Sequence, residues 1–241
     1  MKVLITGAAG YLGEAVIDRL KHEHDLTLAD IHPRQDGGRW LRLDVTDPVA
    51  VREAVAGQEA VVHMAALVRG RSSAAPRDFV DVMVAGTWAV ADACGQEGLR
   101  KIINISSVAA DGFIRGTGHR RKFGDEPAFV PVDLFYAIAK HLGEAVVRAY
   151  AHAYDLQAIN LRLGVLAGDG ENHGPERPAI DLPYWFTYVD RRDVADGVAQ
   201  ALACDVIGTY YLLAGRPDTV WEWEPARRDL GYEPQFNWPE F

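Results

Sequence analysis

A tyrosine and a lysine four positions apart are the residues of this chain best suited to proton transfer. Tyr136 and Lys140, in the segment YAIAK, fall on one face of a predicted helix, so the ammonium group lies near the phenol oxygen. A phenol with an ordinary pKa of about 10 acts as an acid or base near neutral pH only with such a charge beside it. Ser107, at the end of a predicted strand, can hydrogen-bond the substrate oxygen. The alternative for the pair alone is an exposed helix face without chemistry.

A glycine-rich turn near the N-terminus predicts a dinucleotide site. The segment TGAAGYLG, residues 6–13, follows a predicted strand and opens a predicted helix. Gly7 permits a tight turn, Gly10 lets the backbone approach a pyrophosphate, and Gly13 lets the helix pack closely. Such glycines also occur in turns that bind nothing. Asp30, at the end of the second predicted strand, favours the dinucleotide interpretation, because its carboxylate can bind the adenosine ribose hydroxyls and repels a 2′-phosphate. The predicted cofactor is therefore NAD.

The elements that must position these residues alternate between strand and helix, which is typical of an α/β protein with a parallel sheet. The predicted strands are Val3–Thr6, Leu26–Asp30, Trp40–Leu43, Ala60–Ala65, Lys101–Ser106, Gln157–Leu163 and Thr209–Leu213. The predicted helices are Tyr11–Lys21, Pro48–Ala56, Pro76–Gln96, Leu134–Ala153 and Arg191–Ala203.

Composition narrows the class of protein. The chain has 241 residues, 49% of them hydrophobic, and a formal net charge of −9, which favours an ordinary globular protein and disfavours nucleic-acid or membrane-surface binding. No apolar run is long enough to span a bilayer. The two cysteines have no CxxC spacing, which indicates a reducing, cytoplasmic environment. No histidine has a metal-ligand spacing, so no metal site is predicted.

Together these motifs resemble the extended branch of the short-chain dehydrogenase/reductase family, grouped as NAD-dependent epimerase/dehydratase proteins. The resemblance covers about residues 1–213 through TGAAGYLG, LAD, LDVTD, VVHMAA, NISS, YAIAKHLGE and VDRRDVADGV. It implies a Rossmann-type, doubly wound sheet in a single compact unit, with an NAD-binding core in residues 1–163. A small substrate-binding region, residues 164–241, packs on that core. It also implies catalytic roles for Ser107, Tyr136 and Lys140, and a homodimer formed through two long helices.

The resemblance extends the cofactor site beyond the glycines and Asp30. The matching motifs add Tyr11, Leu12, Ile31, Asp44, Val45, Met64, Ala65 and Ala66, together with Tyr136 and Lys140, whose ammonium group also contacts the nicotinamide ribose. Asp44 can reach the adenine amino group, or it is a solvated carboxylate at a strand end.

Departures from the family pattern narrow the chemistry to alcohol oxidation. Ser107 is followed by Val108, Ala109 and Ala110, without the acidic residue that dehydratases and decarboxylases use. Few residues remain after Leu163 to hold the nucleotide of a nucleotide-sugar epimerase. The length, WFTYVD and the tail DLGYEPQFNW are most like small uronate dehydrogenases, so we expect a sugar acid or related polyol. The alternatives are a 4-epimerase with tightly bound NAD and a non-catalytic NAD(H)-sensing protein.

The predicted substrate site is mainly apolar. It comprises Val68, Ser107, Val108, Tyr136, Val165 and Arg177. Met83, where the branch usually has Asn, adds to this apolar character, so a less hydroxylated alcohol or ketone is a rival substrate. Arg191 and Arg192 are further candidates for pairing a substrate carboxylate, or else they are structural. His63 is expected to be a strand histidine with a backbone partner.

Overall fold

The computed structural model describes residues 1–67, 74–111, 134–167, 188–215, 219 and 221–236. Seven parallel strands form one sheet in the order β3-β2-β1-β4-β5-β6-β9. Their bounds are β1 Lys2–Thr6, β2 Asp25–Asp30, β3 Trp40–Arg42, β4 Ala60–His63, β5 Lys101–Ser107, β6 Gln157–Leu163 and β9 Gly208–Leu212. Two short strands, β7 Val165–Ala167 and β8 Tyr188–Asp190, pair with each other beside it. The strand order reverses between β1 and β4, which in such sheets opens a crevice at the carboxyl ends of the strands.

Helices cover both faces of the sheet and give a doubly wound, Rossmann-type fold. They are α1 Tyr11–Leu20, α2 Pro48–Val55, α3 Pro76–Val80, α4 Gly86–Gln96, α5 Leu134–Tyr154, α6 Arg191–Ala203 and α7 Glu224–Leu230. Helices α1 and α6 pack together on one face, while α4 packs between α2 and α5 on the other. Each face buries its own apolar cluster. The inner strands are almost continuously apolar because they are buried on both sides.

Local sequence explains where the helices begin and end. Asp47 begins α2: its Oδ1 accepts hydrogen bonds from the backbone N–H groups of Val49 and Ala50, and Pro48 occupies the first turn. Gly231 ends α7 in the left-handed conformation that glycine adopts at low cost.

Two expectations about the elements were wrong in detail. The single helix predicted for Pro76–Gln96 is α3, a π-helical segment Asp81–Ala85 and α4. The side-chain hydroxyl of Thr87, in the first turn of α4, donates to the carbonyl of Met83 in that segment at 2.7 Å. The strand predicted for Ala60–Ala65 ends at His63, because its pairing partner Thr6 is the last residue of β1. The short strands β7 and β8 and helix α7 were not predicted.

The expected boundary at residue 163 does not interrupt the sheet. Strand β9, from the C-terminal part of the chain, pairs with β6 along its whole length. Trp221 and Trp223 lie in the same apolar cluster as residues of β1, β5 and β6. The C-terminal residues therefore contribute a strand to the sheet and two tryptophan side chains to the core.

Candidate active site

The turn between β1 and α1 has the shape that a dinucleotide requires. Gly7 adopts φ +71°, and a Cβ there would lie 2.7 Å from the backbone nitrogen of Ala65, which follows β4. At Gly13 a Cβ would lie 2.0 Å from the carbonyl oxygen of Ala8. No described side chain caps the N-terminus of α1 at Gly10. Because the close turn brings the first turn of α1 to the crevice between β1 and β4, its positive end faces the space that a pyrophosphate would fill. The residues present therefore fit NAD.

Asp30, the last residue of β2, is oriented by two backbone N–H groups. Its Oδ2 accepts from Ala9 at 3.0 Å and its Oδ1 accepts from His32 at 2.9 Å. Each carboxylate oxygen retains acceptor capacity toward ribose hydroxyls. The guanidinium group of Arg34, which the sequence analysis did not single out, donates to the carbonyl of Ala9 at 3.0 Å. A cation therefore lies beside the predicted ribose site as well as an anion.

The other predicted cofactor residues lie in α1 or follow β2, β3 and β4 at their carboxyl ends, and they differ in exposure. Leu12 and Val45 are buried, Met64, Ala65 and Ala66 are half-buried, and Tyr11, Ile31 and Asp44 are exposed. The Oδ1 of Asp44 accepts from both the N–H and the hydroxyl of Thr46, at 2.9 and 2.8 Å. This turn orients the exposed carboxylate of Asp44.

Tyr136 and Lys140 lie on α5, which packs against β5 and the 3-10 turn Val108–Asp111. The Lys140 ammonium group donates to the carbonyl of Ile105 at 2.6 Å. Within the described part of the chain this bond uses one of its three N–H groups, which leaves donors for a ribose or a phenol oxygen. Burial lowers the pKa of Lys140 to about 8, against a smaller opposite effect of Glu144. Tyr136 is half-buried.

Ser107 ends β5 at the start of that 3-10 turn. Its hydroxyl oxygen accepts from the backbone N–H of Ala109 at 3.2 Å. Helix α5 contacts the same turn through a hydrogen bond between the ring of His141 and the carbonyl of Ala110, at 3.0 Å. The structure therefore brings Ser107 and the Tyr136–Lys140 helix to the carboxyl end of β5, next to the crevice.

His63 is buried between two hydroxyl groups and has side-chain partners, contrary to the backbone partner expected. Its Nδ1 lies 2.7 Å from the hydroxyl of Thr6 and its Nε2 lies 3.0 Å from that of Thr87. Since Thr87 donates to Met83, the arrangement assigns the proton to Nε2. Burial, with a smaller effect of Lys140, lowers the pKa of His63 to about 3, so the ring is neutral.

The predicted substrate residues are only partly described. Val68 and Arg177 lie outside the described residues. Val165 is half-buried, whereas Val108 is 7% exposed and Met83 is 2% exposed. Because Met83 is a core residue, it does not leave sugar hydroxyls unpaired, and that argument against a sugar acid is weaker than the sequence indicated.

The two arginines considered for a substrate carboxylate already have partners. Arg191 pairs with Glu14 at 2.8 Å and stacks over Tyr11. Arg192 pairs with Asp190 at 2.8 Å and stacks over Phe236. These contacts favour the structural alternative for both.

A set of buried charged residues behind the catalytic candidates was not predicted from the sequence. Asp111, Glu144 and Arg162 are 3%, 0% and 7% exposed, and Arg162 pairs with both carboxylates. Glu144 stands four positions after Lys140, a signal that could have found it. In the described part of the chain, no helix is long and apolar enough to cross a membrane, and no cluster of three potential metal ligands occurs.

A family model and several known proteins match most of this chain. Residues 3–232 match the model of the NAD dependent epimerase/dehydratase family. The chain is 28% identical to the NAD-dependent glucose-6-phosphate dehydrogenase of Haloferax volcanii, over 99% of this chain and 95% of that protein. It is 25% identical to the L-arabinose 1-dehydrogenase (NAD(P)(+)) of the same organism, over 98% and 97%. It is 26% identical to the uronate dehydrogenase of Pseudomonas putida, over 97% and 84%.

Solved structures confirm the fold. The uronate dehydrogenase from Agrobacterium tumefaciens superposes with a TM-score of 0.80 at 21% identity, covering 97% of this chain and 84% of that one. A mutant of that enzyme complexed with NAD superposes with a TM-score of 0.81. The family match over most of the chain, the glycine turn and Asp30 lead to one conclusion: the chain belongs to the NAD dependent epimerase/dehydratase family and is an NAD-dependent oxidoreductase of the extended short-chain type.

Proposed function

We propose that this enzyme oxidises the C1 hydroxyl of a free sugar or sugar acid to the lactone, with a uronate-type substrate as the first candidate. The observation that carries the proposal is the Lys140 ammonium group, which donates to the Ile105 carbonyl one helical turn beyond Tyr136 and keeps other N–H donors for a ligand. The three relatives compared above support the substrate class, since their names specify glucose 6-phosphate, L-arabinose at position 1, and uronate.

The chain's own residues account for the proton in this reaction. In this oxidation the hydrogen on C1 leaves as a hydride, with the electron pair of the C1–H bond. The hydroxyl hydrogen leaves as a proton, and a C1=O bond forms. The phenolate of Tyr136 takes the hydroxyl proton, Lys140 stabilises that phenolate by its charge, and Ser107 orients the oxygen by a hydrogen bond. NAD, when bound, supplies the hydride acceptor. We propose that the site residues predicted from the sequence hold it, with Asp30 at the adenosine ribose and Lys140 at the nicotinamide ribose.

The test is a panel of free sugars, sugar acids and sugar phosphates with NAD, followed at the nicotinamide absorbance. The control is the methyl glycoside of the best substrate, which lacks the C1 hydroxyl and should give no reduction. Interconversion of a nucleotide sugar without net reduction of NAD would establish the 4-epimerase alternative. Cofactor binding without turnover of any compound would establish the sensing alternative.

We also propose that the enzyme is a homodimer. Large apolar side chains are exposed on α3, α4 and α5, which pack together on one face of the sheet: Val80, Trp88, Phe135, Leu142 and Tyr154. A second copy would bury them. Light scattering should give twice the mass of the chain, and a monomer mass would contradict the proposal.

We further propose a cytoplasmic location and a substrate-binding role for the C-terminal part of the chain. A cytoplasmic location fits the two free cysteines, of which Cys94 is buried, a setting that raises the pKa of its thiol to about 12. Residues 164–241 are proposed to bind the substrate, since β7 follows the end of β6, where Leu163 pairs with Ser107, and β8 pairs with β7.

A further inference from the structure

Two rows of polar side chains cross the sheet on β5, β6 and β9, and the first is uncharged. Asn104 donates from Nδ2 to Oδ1 of Asn160 at 2.7 Å, and Asn160 donates from its Nδ2 to the hydroxyl of Thr209 at 3.3 Å. All three residues are buried and are register partners on the adjacent strands. We call this set, Asn104, Asn160 and Thr209, the inner row.

The second row lies two residues further along each strand, on the same side of the sheet and nearer the crevice. Ser106, Arg162 and Tyr211 are again register partners, and all are buried. We call this set the outer row. Unlike the inner row, it contains a guanidinium group, which must be paired because it is shielded from water.

The side-chain partners of Arg162 lie in three different elements. Its Nε and one terminal nitrogen donate to the two oxygens of Glu144 on α5, at 2.9 and 2.8 Å. Its other terminal nitrogen donates to Asp111 at 3.3 Å and to the hydroxyl of Tyr211 at 3.0 Å. The Tyr211 hydroxyl in turn donates to Asp111, which also accepts from the indole N–H of Trp221 at 3.3 Å.

These contacts reach both halves of the proposed catalytic centre. Glu144 is one helical turn beyond Lys140, which is one turn beyond Tyr136, so all three lie along one side of α5. Asp111 is the last residue of the 3-10 turn that begins directly after Ser107. One guanidinium group therefore fixes the helix and the turn relative to each other.

The buried part of this network has more carboxylates than guanidinium groups. Asp111 and Glu144 both face the buried guanidinium group of Arg162, and two further cations on α5, Lys140 and the exposed Arg148, stand one helical turn before and after Glu144. The other described titratable groups nearby are neutral His63 on β4, Tyr136 and His141 on α5, and Tyr211, whose pKa is raised by burial and by Asp111. Arg148 lies 3.4 Å from Glu144. Glu144 counteracts the lowering of the Lys140 pKa by burial.

We propose that the outer row is a positioning device for the catalytic centre. Arg162 ties α5 to the turn Val108–Asp111 and so sets the separation between the proton-transfer groups and Ser107. Glu144 supplies the negative charge that keeps Lys140 an ammonium group. The first statement rests on the proposed function, whereas the second concerns the protein by itself.

A pair of matched variants tests the positioning role. Tyr211→Phe and Thr209→Val each remove one buried hydroxyl from the same face of β9, one from the outer row and one beside it in the inner row. Both should lower the Tm to a similar extent. Only Tyr211→Phe should reduce kcat, by about tenfold or more, with KM within about twofold, because misplacement of reacting groups affects the transition state. Equal kcat values for the two variants would overturn the positioning role.

The charge role is tested without substrate or cofactor. The pH dependence of Lys140 acetylation by acetic anhydride, read by peptide mass spectrometry, gives the midpoint of its amine titration. Glu144→Gln should move this midpoint down by about one pH unit, because a negative neighbour favours the ammonium form. The control is Glu97→Gln, whose carboxylate pairs with Arg52 away from the network and should leave the midpoint in place.

The outcomes separate this inference from the proposed function. If no sugar is oxidised but Glu144→Gln moves the Lys140 midpoint, the proposed function fails and the charge role stands. An unchanged midpoint overturns the charge role whatever the activity. If Glu144→Gln does not fold, the Tyr211→Phe and Thr209→Val pair, which alters no charge, still decides the positioning role.

Discussion

Two lysine side chains lie at opposite ends of β5, Lys101 of the strand itself and Lys140 of α5, and they have opposite roles. At the amino end, Lys101 is 3% exposed, and its ammonium group donates to the carbonyls of Ala201, at 3.2 Å, Leu202, at 2.8 Å, and Cys204, where α6 ends. At the carboxyl end, Lys140 donates to the carbonyl of Ile105 alone among the described residues. Burial lowers the pKa of both.

The difference lies in how many donors are already satisfied. The three acceptors of Lys101 are carbonyls at the negative end of a helix. All three N–H donors of this lysine are therefore used within the fold, and none remains for a ligand. Lys140 keeps donors for a ligand, at the edge of the sheet where parallel α/β proteins bind their ligands. The lysine at the amino end of β5 therefore stabilises the fold, whereas the lysine at the carboxyl end is available for chemistry.

The largest effect expected at the carboxyl end is that of Tyr136→Phe. Removal of the hydroxyl should lower kcat by about 1,000-fold, because the proposed proton acceptor is lost, while NAD affinity stays within a few-fold. Tyr150→Phe is the control on the same helix, because its hydroxyl interacts with Trp88 and Asp92 away from the crevice. Steady-state kinetics and cofactor titration measure both. Retained turnover in Tyr136→Phe would remove this residue from the mechanism.

Replacement of the two lysines tests the comparison directly. Lys140→Met should lower kcat by about 100-fold with little change in the free energy of unfolding. Lys101→Met should leave kcat near the wild-type value but lower the free energy of unfolding by about 2–3 kcal/mol, because buried carbonyls lose their donor. Urea unfolding and kinetics on both variants provide the measurement. A loss of activity in Lys101→Met at a temperature where it is folded would break the comparison.

The two ends of β2 offer a weaker version of the same contrast. Asp30→Ala at the carboxyl end should reduce the preference for NAD over NADP by about tenfold, since it removes the ribose acceptor and leaves Arg34 beside the site. Asp25→Ala, at the exposed amino end, should leave the preference unchanged. The measurement is the ratio of kcat/KM for the two cofactors. A wild-type enzyme that prefers NADP would refute the role given to Asp30.

The smallest effect is a pH dependence of stability. The pKa of Lys140 is about 8 in the folded state and near 10.5 when exposed, so between these values the unfolded chain binds more protons. Stability should therefore rise with pH across this window, by up to about 2 kcal/mol. The comparison of urea unfolding at pH 8 and pH 10 in the wild type and in Lys140→Met checks this, because the variant should lose that part of the rise.

Several parts of this picture were predictable because they depend on neighbours in the chain. The alternation of strands and helices, the glycine turn and the Tyr136–Lys140 spacing are local patterns. The π-helical segment Asp81–Ala85 was not predictable in this way, since the side chain of Thr87 and the packing of Gly143 against the Met83 carbonyl shape it. The short strands β7 and β8 were not predictable either, because three residues are too few to form a recognisable strand pattern.

The sequence by itself determined the fold class, the family and the candidate groups for cofactor and proton chemistry, because each is encoded in a few consecutive residues. Only the tertiary structure decided how those groups are supported. Arg162 meets Glu144 across 18 residues, Tyr211 across 49 and Asp111 across 51, and no local pattern indicates such contacts. The strand order brings them together, and burial then requires their charges to pair, which is a property of the folded sheet and of no single segment.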